Sequence, residues 1–269
     1  MEKQVLVEGF NVDLMEQCLQ ALHEKDRLSF AGKFVQGFVH NTNGPLQNLS
    51  MLTEMLLAGM DLQDRLFKAG DDTKWTETLE KQKKRLTQMR DQIYGLAGEL
   101  REFMQLLEME RNGTDIDVNA LLTIVLRVFR SNLFFKHRVS PELKLQRNLP
   151  QARVPGCNII PVFFHLVQNA MIAMENSARK DLIVETCLED KHILVRITDS
   201  GCGLGGCDPE SLFGLFESRW PEANRGVDSV HLGFGLYAAR MLLLPYNCTV
   251  NIEEAPEGAS ALISIPVAK

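Results

Sequence analysis

Between residues 26 and 107 the apolar side chains recur alternately three and four positions apart, a spacing that few architectures accept. Leu28, Ala31, Val35, Phe38, Thr42, Pro45, Leu49, Leu52 and Leu56 form one such series; Leu79, Gln82, Leu86, Met89, Ile93, Leu96, Leu100, Phe103 and Leu107 form a second. That period belongs to a helix with a continuous seam. Between the two series lies A-G-D-D-T-K-W, where Gly70 can end one helix and the residues at 71–73 can cap the next. Two long helices joined by a short turn form an antiparallel hairpin, and a hairpin alone leaves much of each apolar face in water. Pairing two hairpins into a four-helix bundle removes that exposure, so residues 26–110 are expected to form a homodimer. Residues 1–25 hold at most a short helical extension feeding this bundle.

At E-R-N-G-T-D-I-D, residues 110–117, glycine and polar residues interrupt the heptads and read as a linker. Beyond it, from 115 to 269, the patterning is that of a mixed domain. Helices are expected over 118–135, 160–176 and 235–244. Alternating strands are expected at Leu182, Val184, Thr186 and Leu188, at Ile193, Val195 and Ile197, and near 250–252 and 261–265. The short turns E-D-K-H and A-P-E-G between adjacent strands imply a partly antiparallel, mixed sheet with helices on one face. The expected fold class is therefore α+β: a helical hairpin followed by an α/β sandwich.

Composition excludes some functions. A formal net charge of −6 and a pI near 5.6 argue against nucleic acid or an anionic membrane as the main partner. No apolar run reaches the roughly 18 residues that a membrane span needs, and the first ten residues lack a secretory signal. The six cysteines, Cys18, Cys157, Cys187, Cys202, Cys207 and Cys248, lack paired metal-ligand spacing, as expected of reduced thiols in a cytoplasmic protein.

Three short motifs carry chemistry. D-S-G-C-G-L at 199–204 follows an expected strand, with Gly201 and Gly203 letting the backbone turn sharply beside the carboxylate of Asp199. H-L-V-Q-N-A at 165–170 lies on an expected helix, where His165 and Asn169 share one face. L-G-F-G-L-Y at 232–237 places Gly233 and Gly235 at a helix N-terminus, where free N–H groups and the helix dipole favour an anion. Each is weak alone: a surface turn, a satisfied core amide and a lone G-x-G would explain them equally well.

Their order and spacing resemble the Bergerat-type ATPase domain of histidine kinases, gyrase B, MutL and Hsp90, over residues 115–269. The resemblance implies ATP as ligand, with Asp199 hydrogen-bonding the adenine amino group. Asn169 would hold Mg²⁺ on the phosphates beside His165, Gly201 and Gly203 would shape the pocket, and Gly233 and Gly235 would meet the phosphates. L-F-G-L-F-E-S-R at 212–219 is similar to the family's F box, with Phe213 and Phe216 as its aromatic pair and a lid over 205–230. Arg219 or Arg225 would supply charge near the γ-phosphate.

Upstream, F-V-H-N-T-N-G-P-L at 38–46 resembles the phospho-acceptor box of histidine kinases. His40 falls at the outermost heptad position, where an imidazole nitrogen held out in solvent is a competent nucleophile. The resemblance then implies autophosphorylation of His40 and transfer to an aspartate on a response-regulator receiver domain. Three positions depart from the family pattern. Asn41 stands where an acidic residue usually draws off the imidazole proton, Gly44 where Thr or Asn serves partner dephosphorylation, and His231 where the last glycine box begins. An amide takes no proton at neutral pH, and general-base help is worth roughly two to four orders of magnitude. The alternative is a dimeric module that binds nucleotide and docks a receiver domain or partner kinase without efficient chemistry.

Overall fold

The structure is a computed structural model that describes residues 12–112, 115–130, 132–217 and 233–268; within 12–34, at 106 and at 110–112 several side chains are not described. The chain divides into two compact units, the hairpin Gln36–Leu107 and a unit containing the mixed domain.

In the hairpin unit, α1 (Val12–Ala69) runs unbroken through Pro45, and α2 (Asp72–Asn112) returns beside it. The helical hairpin thus begins well before residue 26 and ends three residues into the segment read as a linker. The turn follows its sequence signals. Gly70 is left-handed at φ +69°, which costs a residue without a Cβ little, and the Asp71 side chain accepts the Lys74 N–H at 3.1 Å to cap α2. Phe38 stacks on Phe103 with ring centroids 4.5 Å apart, and Arg85 Nη1 donates to the Met55 carbonyl at 2.8 Å.

The first seam is largely as expected: Leu52 is buried, and Phe38, Thr42, Pro45, Leu49 and Leu56 are half-buried. Val35 is exposed, while the side chains of Leu28 and Ala31 lie outside those described. The second seam splits. Gln82, Met89, Leu96 and Phe103 are buried or half-buried, but Leu86, Ile93 and Leu100 are 55%, 52% and 49% exposed. A single hairpin can cover only one side of a two-sided seam, so this seven-residue row is left on the outside.

The mixed domain starts with β1 (Asp115–Ile116), paired antiparallel with β3 (Ala152–Arg153). The helix expected over 118–135 is two helices, α3 (Val118–Phe129) and α4 (Leu133–Arg138). Asn132 separates them: its side chain accepts the Phe135 N–H at 3.1 Å, and such a cap outcompetes helix continuation. A five-stranded sheet is built from β2 (Ser140–Leu145), β4 (Asp181–Glu189), β5 (His192–Asp199), β6 (Thr249–Ala255) and β7 (Gly258–Pro266), in the order β2-β4-β5-β7-β6. The β2–β4 pair is parallel and the others are antiparallel. The expectation of a mixed sheet holds, and β2 is an addition to it: S-P-E-L-K-L has almost no buried side chain and gave no alternating pattern.

Leu182, Val184, Ile193, Val195, Ile197, Val250, Ile263 and Ile265 are buried on one sheet face, against which α5 (Gly156–Met174) and α6 (Gly235–Leu243) pack. Helix α5 carries no Asp, Glu, Lys or Arg, and over 18 residues its mean hydropathy reaches 1.4. By length and composition it is apolar enough to cross a membrane, which corrects the sequence reading. Two thirds of that stretch is buried inside the domain, and its apolar side chains are the centre of the core.

Candidate functional site

Helix α5 is the spine of the site. His165, Asn169 and Ala173 follow one another at four-residue intervals and so lie on one stripe of the helix. Both glycine motifs dock on that stripe. At one end a Cβ on Gly235 would lie 2.8 Å from His165 Nδ1, so only glycine lets the start of α6 approach the imidazole this closely. At the other end a Cβ on Gly201 would lie 2.5 Å from the Ala173 Cβ, and Cys202 N–H donates to the Ala173 carbonyl at 3.1 Å. Asn169 sits half-buried between the two, and its side-chain amide has no hydrogen bond to the described residues. The structure thus gathers His165, Asn169, Gly201 and Gly235 around one helix face.

Asp199 closes β5 and is 8% exposed. Burial pushes its carboxyl up to about 6, while the N–H groups of Gly201 and Ala259 oppose that shift by hydrogen-bonding the carboxylate. The Gly201 bond is 2.8 Å long. A buried acceptor with a fixed direction suits a ligand N–H, because a misplaced or missing donor leaves it unsatisfied. Gly203 is left-handed at φ +66° and packs near the Gly258 carbonyl.

Gly258 is a site residue that the sequence reading missed. It stands in the β6–β7 turn at φ +113°, where a Cβ would lie 2.1 Å from the Asp199 carbonyl oxygen and 2.7 Å from the Gly201 nitrogen. In the sequence A-P-E-G reads only as a hairpin turn, and nothing local reveals that its tip abuts a loop nearly sixty residues upstream.

The F-box pair separates. Phe213 is buried at the end of a 3₁₀ turn, Pro209–Phe213, beneath the Arg240 guanidinium 3.6 Å from its ring centroid. Arg240 also forks onto Glu210 at 2.8 and 3.1 Å, bracing this turn on α6 and holding the Glu210 carboxyl below its usual range. Phe216 instead is 57% exposed and left-handed at φ +61°. Gly233, at φ +66°, packs against the Glu217 backbone, where a Cβ would lie 2.4 Å from the carbonyl oxygen. Arg219, Arg225, His231 and the 218–230 half of the 205–230 lid lie outside the described residues.

His40 is exposed on α1, Asn41 is half-buried beside it, and Gly44 has nothing within 4 Å of a Cβ placed on it. All three lie in the hairpin unit, apart in sequence from every nucleotide motif.

Residues 158–269 match the family of histidine kinase-, DNA gyrase B- and HSP90-like ATPases. Among solved structures, the mycobacterial sensor histidine kinase MprB is 18% identical with a TM-score of 0.45, over 57% of this chain and 96% of that one. The catalytic domain of histidine kinase ThkA is 18% identical, with a TM-score of 0.48 over 58% and 98%. The Acinetobacter baumannii histidine kinase AdeS is 16% identical, with a TM-score of 0.44 over 80% and 98%. No curated protein matches the chain. The segment 158–269, with its α5 spine, its D-S-G-C-G loop and its glycine-opened α6, is a domain of the histidine kinase-, DNA gyrase B- and HSP90-like ATPase family.

Proposed function

We propose that this protein is a cytoplasmic histidine kinase that binds ATP with Mg²⁺, phosphorylates His40 and passes the phosphoryl group to an aspartate of a response-regulator receiver domain. The observation that carries the reading is the convergence of Gly201, Asn169 and Gly235 on one stripe of α5, with Asp199 buried alongside. In this arrangement the Asp199 carboxylate accepts the adenine amino hydrogen, Gly201 gives the base a close approach, and the N–H groups opening α6 meet the phosphates. The Asn169 amide oxygen is a hard donor that suits Mg²⁺, which takes most of its ligands from phosphates and water. Among the described residues no three His, Cys, Asp or Glu side chains cluster as a metal cage, which fits an ion carried in with the nucleotide. When bound, that ion neutralises charge on the phosphate oxygens; positioning and charge compensation are most of what phosphoryl transfer asks of a protein.

The exposed row Leu86, Ile93 and Leu100 supports the homodimer part of the reading, since a second hairpin would cover it. His40, solvent-facing on α1, supplies the nucleophile. Asn41 beside it favours a second reading, a dimeric module that binds nucleotide and docks a receiver domain or partner kinase with little chemistry of its own. Incubation with γ-labelled ATP separates them: the kinase acquires an acid-labile, base-stable label, and the module binds nucleotide without it. Restoring an acid with Asn41→Glu should raise the labelling rate about tenfold or more if proton removal limits the wild-type chain. An unchanged rate would mean that the missing base does not control it.

A further inference from the structure

Two elements that flank Asp199 are tied by one guanidinium. Arg179, between α5 and β4, ion-pairs through Nη2 with Asp181 Oδ2 at 2.5 Å and through Nη1 with Glu257 Oε2. Each carboxylate stands on backbone that touches Asp199 or its neighbour. Asp181 N–H donates to Ser200 Oγ at 2.8 Å, and Ser200 N–H donates to the Asp181 carbonyl at 3.1 Å. Glu257 adjoins Gly258, which abuts the Asp199 carbonyl, and the next residue, Ala259, donates its N–H to the Asp199 carboxylate. The same hairpin reaches the loop again through Glu254 Oε2, which accepts the Leu204 N–H at 3.3 Å.

An isolated exposed ion pair contributes little. A planar guanidinium engaging two carboxylates on separate elements does something more specific: it fixes their separation. Here that separation is the width of the slot in which the Asp199 backbone lies, between the start of β4 and the β6–β7 turn. We propose that Arg179 is a positioning residue of the nucleotide pocket, acting through Asp181 and Glu257 to hold Asp199 in the orientation that selects adenine. This inference rests on the assignment of Asp199 to the adenine amino group. A residue that positions Asp199 should affect the base that Asp199 reads and spare contacts made elsewhere, so base selectivity reports on it where overall stability does not.

The test is calorimetric titration of the full chain with ATP·Mg²⁺ and GTP·Mg²⁺, comparing wild type with Arg179→Met, Arg179→Lys and Glu257→Gln. Methionine keeps the aliphatic stem and removes the fork, and Glu257→Gln breaks the same clamp from an exposed position. The expected result is an ATP affinity lower by about threefold to tenfold in Arg179→Met and Glu257→Gln, with GTP binding unchanged. Arg179→Lys should fall between, and a variant combining Arg179→Met with Glu257→Gln should lose no more than the larger single effect. Retention of the full ATP-over-GTP preference in both Arg179→Met and Glu257→Gln would overturn the proposal while leaving the pocket assignment standing. A wild-type chain that binds ATP no better than GTP would overturn the pocket assignment itself, and this proposal with it.

Discussion

Burial of Asp199 separates its two protonation states in a way that unfolding measurements can read. Its folded carboxyl titrates near 6 instead of 3.8 because burial disfavours the charge. A raised acid stabilises the fold fully below the unfolded value, and that contribution is lost as pH rises from about 4 through about 6. For this group the loss is on the order of 3 kcal/mol. Without nucleotide, Asp199→Asn should therefore flatten the fall in unfolding free energy over that window and be the more stable protein at pH 7 to 8. Parallel pH profiles for the two proteins, from denaturant titration, would contradict this. Gly201 offers a steric counterpart. Gly201→Ala should abolish nucleotide binding, and adding Ala173→Gly should restore part of it, since the Ala173 Cβ is the nearest atom a new methyl would meet. The Ala173 backbone carbon and Asp199 Oδ1, each 2.6 Å away, limit the rescue. The glycines of both motifs were legible in sequence because glycine spacing is local. Gly258 was not, because its constraint comes from a contact across the fold.

At the scale of elements, α2 carries the row that the proposed homodimer would cover. Leu86, Ile93 and Leu100 form an exposed row at heptad spacing on α2. Ile93→Glu should convert the dimer to a monomer by sedimentation velocity while the helix content of the chain persists; a wild-type chain already monomeric at tens of micromolar would remove the dimer from the account. Gly95 makes a cleaner test of helix propensity. Nothing lies within 4 Å of a Cβ placed there, so Gly95→Ala should stabilise α2 by about 1 kcal/mol, seen as a higher midpoint in thermal melting. The heptads, the Gly70–Asp71 turn and the inner strands were readable because burial imposes a period on them. The break at Asn132 was not, since a side-chain cap overrode a continuous apolar pattern. Strand β2 was not, since an exposed edge strand has no alternation to read.

At the scale of the molecule, the two compact units divide the proposed chemistry: His40, the proposed nucleophile, stands on the hairpin, and every proposed nucleotide motif stands on the mixed domain. The ATPase assignment needs only the second unit and rests on an ordered set of contacts around α5. The kinase assignment needs both, and asks an exposed histidine flanked by Asn41 to take a phosphoryl group without an adjacent carboxylate. The measurement that bears on it most directly is incubation of the full chain with γ-labelled ATP and Mg²⁺, followed by mapping of the modified residue. The account predicts an acid-labile, base-stable label on His40 that is lost in His40→Gln and in Asp199→Ala. Nucleotide binding that depends on Asp199, with no label on His40, would contradict it.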